Sequence, residues 1–97
     1  MDDVRFSWDA RKARQNIKKH KVSFEEASTV FFDEKAIEFF DPDHSKDEDR
    51  FVMLGHSHRM RVLVVCYCFR KTASKIRIIS ARRAARAEQR VYTGEIK

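Results

Sequence analysis

Polar and apolar residues alternate in Arg5-Phe6-Ser7-Trp8, which predicts a short edge strand. Asp9 follows as a helix N-cap, and Ala10 to His20 has helical spacing that puts Ala13 and Ile17 on one face. Ser23-Phe24-Glu25-Glu26 has the form of a capping box, with Ser at the cap and Glu three residues on. It opens a second helix, expected to run to about Phe32 with Phe24, Ala27, Val30 and Phe31 inward. Four strands are expected next. Ala36 to Phe40 is ended by Asp41-Pro42, and Arg50 to Leu54 stops near Gly55. Arg61 to Phe69 is apolar on both faces, as a central strand should be, and Lys75 to Ala81 is the last. The short gap from Arg70 to Ser74 suits a hairpin, so consecutive strands should be antiparallel. From Arg82 to Tyr92 the pattern turns Ala-rich and helical. The order β-α-α-β-β-β-β-α predicts one α+β domain over residues 1–97. In it, two N-terminal helices and one C-terminal helix pack on a four- to five-stranded antiparallel sheet.

Composition narrows the class. With 42% apolar residues, 97 residues suffice for one small core. Two Gly and one Pro exclude collagen-like and low-complexity chains. No apolar run approaches the ~18–20 residues of a membrane helix, and Met1-Asp2-Asp3-Val4-Arg5 has no signal-peptide core. A cytoplasmic protein without membrane contact is therefore expected. Cys66 and Cys68 are two apart in a strand, which is poor disulfide geometry, and they are expected to act as two buried apolar thiols. Lys and Arg outnumber Asp and Glu by six, unevenly: residues 33–50 carry −5 and residues 70–97 carry +7. Such a chain attracts polyanions, of which nucleic acid is the commonest.

Arg77, Ser80, Arg82, Arg83, Arg86 and Arg90 are the densest chemical feature. Arg82, Arg86 and Arg90, four apart, are expected to share one helical face, where like charges repel unless an anion offsets them. Arg77 is expected to share a strand face with Ile79 and Ala81, opposite Ile76, Ile78 and Ser80. Asp41-Pro42-Asp43-His44-Ser45 begins like a calcium loop but has Lys46 at the required Gly and Val52 at the required Glu. His56-Ser57-His58 lacks the further ligands zinc wants, and both imidazoles are expected in an exposed loop. Lys18-Lys19-His20-Lys21 suits the negative end of a helix dipole. There is no phosphate-binding Gly loop, nucleophile elbow or H-E-x-x-H, so no metal and no cofactor are expected.

Three separated segments then carry a resemblance. Phe6-Ser7-Trp8-Asp9 with Asn16-Ile17-Lys18-Lys19-His20-Lys21-Val22-Ser23-Phe24-Glu25-Glu26-Ala27 resembles the opening of BrnT-type toxins of type II toxin–antitoxin systems. Asp41-Pro42-Asp43-His44-Ser45 followed by Glu48-Asp49-Arg50-Phe51 is similar to the family's middle motif. Arg77-Ile78-Ile79-Ser80-Ala81-Arg82-Arg83-Ala84 followed by Glu88 and Tyr92 is similar to its closing one. Lys21 departs from the family, which usually has Gly there. If the site needs positive φ, Lys21 bears ~1–2 kcal/mol that Gly would avoid. The resemblance implies a RelE-like ribonuclease fold and RNA cleavage that arrests translation. It also implies a BrnA-type antitoxin with a ribbon-helix-helix DNA-binding domain, through which alone the pair would contact promoter DNA.

Metal-free RNA cleavage uses the substrate's own 2′-OH as nucleophile. It needs a group to take that proton, cations for the phosphorane and a proton for the departing 5′-oxygen. Arg suits the cationic task because its planar fork grips phosphate and keeps its charge. His20, Arg77, Arg82 and Arg50 are accordingly the catalytic candidates, with His20 as general acid or base. Lys19, His44, Ser80, Arg86 and Tyr92 are the substrate-binding candidates. Trp8 is assigned to the core, with stacking on an RNA base as the alternative. Two other classes compete: a non-catalytic RNA- or DNA-binding module, and an interaction protein whose basic face holds an acidic partner.

Overall fold

The protein is described by a computed structural model over residues 5–45, 48–70 and 74–95. Strand β1 is Arg5–Ser7, and helix α1 is Ala10–His20. The Asp9 carboxylate accepts from the Lys12 amide at 3.0 Å, as an N-cap should. At the other end Lys21 adopts the left-handed conformation, φ 60° and ψ 31°, and its amide donates to the Ile17 carbonyl at 2.9 Å. The turn does need positive φ, and Lys21 carries a strain of about 1 kcal/mol or more that Gly would not.

Helix α2 is Phe24–Thr29, opened by the Ser23 hydroxyl accepting from the Glu26 amide at 3.0 Å. The helix expected to reach Phe32 tightens instead into a 3₁₀ turn at Val30–Phe32. Strands β2 (Ile37–Asp41), β3 (Arg50–His56), β4 (Val62–Arg70) and β5 (Lys75–Arg83) follow, then helix α3 (Arg86–Tyr92). β2 and β4 each lie one residue later than expected, and three further boundaries are corrected. β3 runs through Gly55 to His56, β5 continues two residues past Ala81, and α3 begins only at Arg86. Arg82 therefore belongs to the strand, and the helical row Arg82-Arg86-Arg90 does not exist. The turn expected between Arg70 and Ser74 lies largely outside the described residues.

The strand order is β1-β5-β4-β3-β2. β2, β3, β4 and β5 pair antiparallel, but β1 pairs parallel to β5, so the sheet is mixed rather than wholly antiparallel. Short turns dictate antiparallel neighbours only for strands they join. β1 is placed by its aromatic side chain instead: the Phe6 ring lies 5.4 Å from Phe31 and 6.2 Å from Phe32.

α1 and α2, with Val22 and Phe24 inward, cover one face of the sheet over Leu63, Val65, Tyr67, Ile76, Ile78 and Ala81. Trp8 packs there edge-on to Phe24, as assigned. α3 covers part of the other face, over Leu54, Val64 and Ala84 with Val91. β1 ends at Ser7, which leaves the rest of the β5 edge open, and buried Asn16 of α1 closes it. The Asn16 side-chain amide donates to the carbonyls of Ala81 and Val22, both at 2.8 Å, and its oxygen accepts from the Ala81 amide at 3.1 Å. One side chain thus does the work of a missing strand residue.

Candidate active site

The uncovered half of the second face is where the arginines gather. Pairing register puts Arg50 opposite Cys68 and Cys68 opposite Arg77. Neighbouring strands lie about 4.8 Å apart, so Arg50 and Arg77 stand about 10 Å apart in one cross-strand row. The next row is Val52, Cys66 and Ser80, and the one after is Leu54, Val64 and Arg82, where α3 begins its cover.

Arg77 and Arg82 share a face only because of a bulge. Cys66 is opposite Ser80 while Tyr67 is opposite Ile78, so Ile79 is an extra residue on β5. Ile76 and Ile78 face the helices before the bulge, and Ala81 does after it. The expectation that Arg77 shares its face with Ala81 is thereby overturned. Five residues apart on a regular strand, Arg77 and Arg82 would point to opposite faces.

Arg82 is held end-on. Its two terminal nitrogens donate to the two carboxylate oxygens of Glu88 at 2.7 and 2.8 Å, and Glu88 also accepts from the Ala85 amide at 2.8 Å at the start of α3. The carboxylate beside it raises Arg82 further, and the guanidinium lowers Glu88, so both stay charged at neutral pH. This fork uses the end of the guanidinium and leaves its Nε–H side for a phosphate. Glu88, to which the sequence reading gives no role, is the residue that orients Arg82. It is six residues from Arg82, a separation that only a strand-to-helix junction turns into contact.

Arg77 borders a shallow cleft with Ser7, Trp8 and Asp9 at the β1 edge. Burial, with the carboxyl of Glu48 beside it, keeps the Cys68 thiol protonated, so it offers no thiolate nucleophile. Cys68 is buried but Cys66 is only partly so, on the open face, which corrects the expectation of two buried thiols. Lys19, His20 and Ser80 line one groove of about 180 Å³ between α1 and β5, together with Lys12. Ser80, at the bulge, borders both this groove and the arginine face. Arg86 is exposed on the first turn of α3. His44 lies in a 3₁₀ turn after β2, and its side chain is outside what is described.

Tyr92 is elsewhere. Its hydroxyl donates to Asp33 Oδ2 at 2.6 Å and lies 3.2 Å from His56 Nδ1, and the two rings meet edge-on at 4.9 Å. His56 is thus a half-buried strand residue and not an exposed loop one, and its amide also donates to Asp33 at 2.8 Å. Burial and the carboxylate beside it push the Tyr92 hydroxyl up to about 12. Burial would raise Asp33, but hydrogen bonds from Tyr92 and the His56 amide bring it below its ordinary value. This cluster fastens the end of α3 to β3. Tyr92→Phe removes a hydrogen bond to a charged acceptor and should cost about 1.5–3 kcal/mol, read as a lower urea midpoint. A variant of unchanged stability with weakened RNA binding would place Tyr92 in the substrate path instead.

Among the described residues no three His, Cys, Asp or Glu side chains converge in a way that would hold a metal ion. No helix is long and apolar enough to cross a membrane. No curated protein matches the chain. The chain is similar in fold to the Brucella abortus ribonuclease toxin BrnT, known from a crystal structure. The TM-score is 0.65 at 21% identity, over 86% of this chain and 99% of that one. A family model described as the ribonuclease toxin BrnT of a type II toxin–antitoxin system matches residues 8–88. That span takes in Asp9, α1 with its groove, the bulged β5 and the Arg82–Glu88 fork, and the chain belongs to the BrnT family of ribonuclease toxins.

Proposed function

We propose that residues 1–97 act as one metal-independent endoribonuclease domain of RelE-like type. It would cut RNA in the cytoplasm to arrest translation and be neutralised by a BrnA-type antitoxin. Contact with promoter DNA would come only through that antitoxin. The observation that carries this reading is the cross-strand row of Arg50 and Arg77 on the uncovered sheet face, continued by Arg82 in its fork with Glu88.

A phosphodiester seated over partly exposed Cys66, between Arg77 and Arg82, meets guanidinium groups on both sides. The 2′-oxygen attacks the adjacent phosphorus and its proton passes to a base. The phosphorane's added charge falls to Arg50, Arg77 and Arg82, the P–O5′ bond breaks, and the 5′-oxygen takes up a proton. The ends are a 2′,3′-cyclic phosphate and a 5′-hydroxyl. His20 serves as the general acid or base at the groove mouth, where Ser80 links its pocket to the arginine face, and Lys19 steadies the strand. Arg86, Tyr92 and His44 are the outer substrate-binding candidates.

Purified chain incubated with RNA in excess EDTA tests the reading. Cleavage that leaves 5′-hydroxyl ends is expected. Binding without cleavage would instead establish a nucleic-acid-binding module, and cleavage only after a divalent ion is restored would remove metal independence.

A further inference from the structure

The whole formal net charge of the chain sits on one helix and its C-cap residue. Residues 10–21 carry Arg11, Lys12, Arg14, Lys18, Lys19 and Lys21 and no acid, against +6 for the entire chain, so the remaining bases and acids cancel. The structure shows the same division. Arg61 pairs with Glu26, Arg82 with Glu88 and Arg90 with Glu95, whereas among the described residues no ion pair reaches α1. Arg11, Arg14, Lys18 and Lys21 recur at spacings of three and four, so they form one exposed row along a helix about 16 Å long. Like charges so spaced weaken a helix, and a polyanion lying along the row relieves them. On the adjoining flank Lys12 and Lys19 lead into the groove that holds His20 and Ser80.

We propose that the solvent face of α1 is a docking rail for the phosphate backbone of single-stranded RNA, separate from the arginine face and feeding it through the His20–Ser80 groove. RNA fits better than an acidic protein segment. Protein interfaces are anchored by buried aromatic and apolar side chains, and the only large apolar side chain exposed on this row is Ile17. Continuity with the groove gives the strand somewhere to go. The inference deepens the ribonuclease reading by naming how a long substrate is held, and it rests on RNA being the ligand.

The triple variant Arg11→Gln, Arg14→Gln, Lys18→Gln tests it. Affinity is measured against salt for a fully 2′-O-methylated oligoribonucleotide, which cannot be cleaved through its own 2′-oxygen. Each phosphate contact on a single strand contributes about 0.7 to the slope of log affinity against log salt. The slope should therefore fall by about two, with about tenfold or greater loss of affinity at low salt. On cleavable RNA the variant should raise KM for long strands, and it should cut a dinucleotide, too short to reach the rail, at the unchanged rate. Removing Lys35, Arg59 and Arg90 in the same way subtracts equal charge from other faces, and should lower the slope by less than one. An unchanged slope in the α1 variant, or an equal fall in the control, overturns the proposal. So does a variant that keeps its RNA affinity but loses an acidic protein partner. Should only the ribonuclease reading fail, the methylated RNA will still bind with the α1-dependent slope while no RNA is cut.

Discussion

Arg77→Ala and Arg82→Ala are each expected to slow single-turnover RNA cleavage by roughly 10²–10³-fold, about 3–4 kcal/mol of transition-state stabilisation. Both side chains are partly or largely exposed on the open face, so neither truncation empties a core. The thermal midpoint should stay nearly fixed, because an exposed ion pair such as Arg82–Glu88 contributes little stability. Arg82→Lys should rescue little. A lysine cannot keep the two-pronged grip on Glu88 and still offer a second edge to phosphate. Glu88→Gln probes the fork from its other side: Arg82 keeps its charge but loses its fixed orientation, and the rate should fall with KM nearly unchanged. Cleavage at the parental rate by folded Arg77→Ala and Arg82→Ala proteins would move the reaction away from this face.

The helices, the strands and the family were legible because they rest on local signals. Asp9 and Ser23 are caps by residue type, and the strand segments are apolar runs bounded by turn residues. What failed depended on distant partners. β1 is parallel to β5 because Phe6 seeks Phe31 and Phe32, which no neighbouring turn announces. The Ile79 bulge decides which face Arg77 and Arg82 occupy, yet nothing in Ile78-Ile79-Ser80 marks it, since it reflects the register against Cys66 and Tyr67. Asn16 reads as an ordinary polar helix residue until the short β1 leaves the backbone of Ala81 in need of partners. The candidate site followed the same division. Arginine was recognisable as the chemistry, whereas the fork that aims Arg82 and the burial of Tyr92 against Asp33 were properties of packing.

Glu26 shows that division at its largest energetic scale. By spacing it is the acid of a capping box, and half of the box forms, through its amide and the Ser23 hydroxyl. Its carboxylate turns inward instead and is almost wholly buried, at 2% exposure. There it accepts from the Ser57 hydroxyl at 2.6 Å and from Arg61 Nε at 2.9 Å, and is closed by a second contact with the same guanidinium. Arg61 in turn donates to the Lys21 carbonyl at 3.2 Å, so the pair ties α2, the β3–β4 turn and the end of α1 together. Arg61→Met leaves a buried carboxylate with only exposed Arg59, 3.9 Å away, as a cation and should cost about 3–5 kcal/mol, a large share of the ~5–15 kcal/mol typical of a domain. Glu26→Leu combined with Arg61→Met should recover much of that loss, because apolar pairs of similar volume replace buried ion pairs well.

The pH dependence separates the loss of the ion pair from a simple packing defect. In the parent, burial alone would raise Glu26, but Arg61 and Ser57 hold it below its ordinary 4.5. Its contribution is therefore complete above about 4.5 and is lost as pH falls through the lower folded value. Without Arg61, burial dominates and Glu26 should titrate above 4.5 in the folded state. The sign then reverses: the variant gains relative to the parent as the medium is acidified. Urea midpoints of parent and Arg61→Met should thus lie far apart near pH 7 and draw together toward about pH 4. A gap that stays constant over that range would mean Arg61 acts through its packing alone.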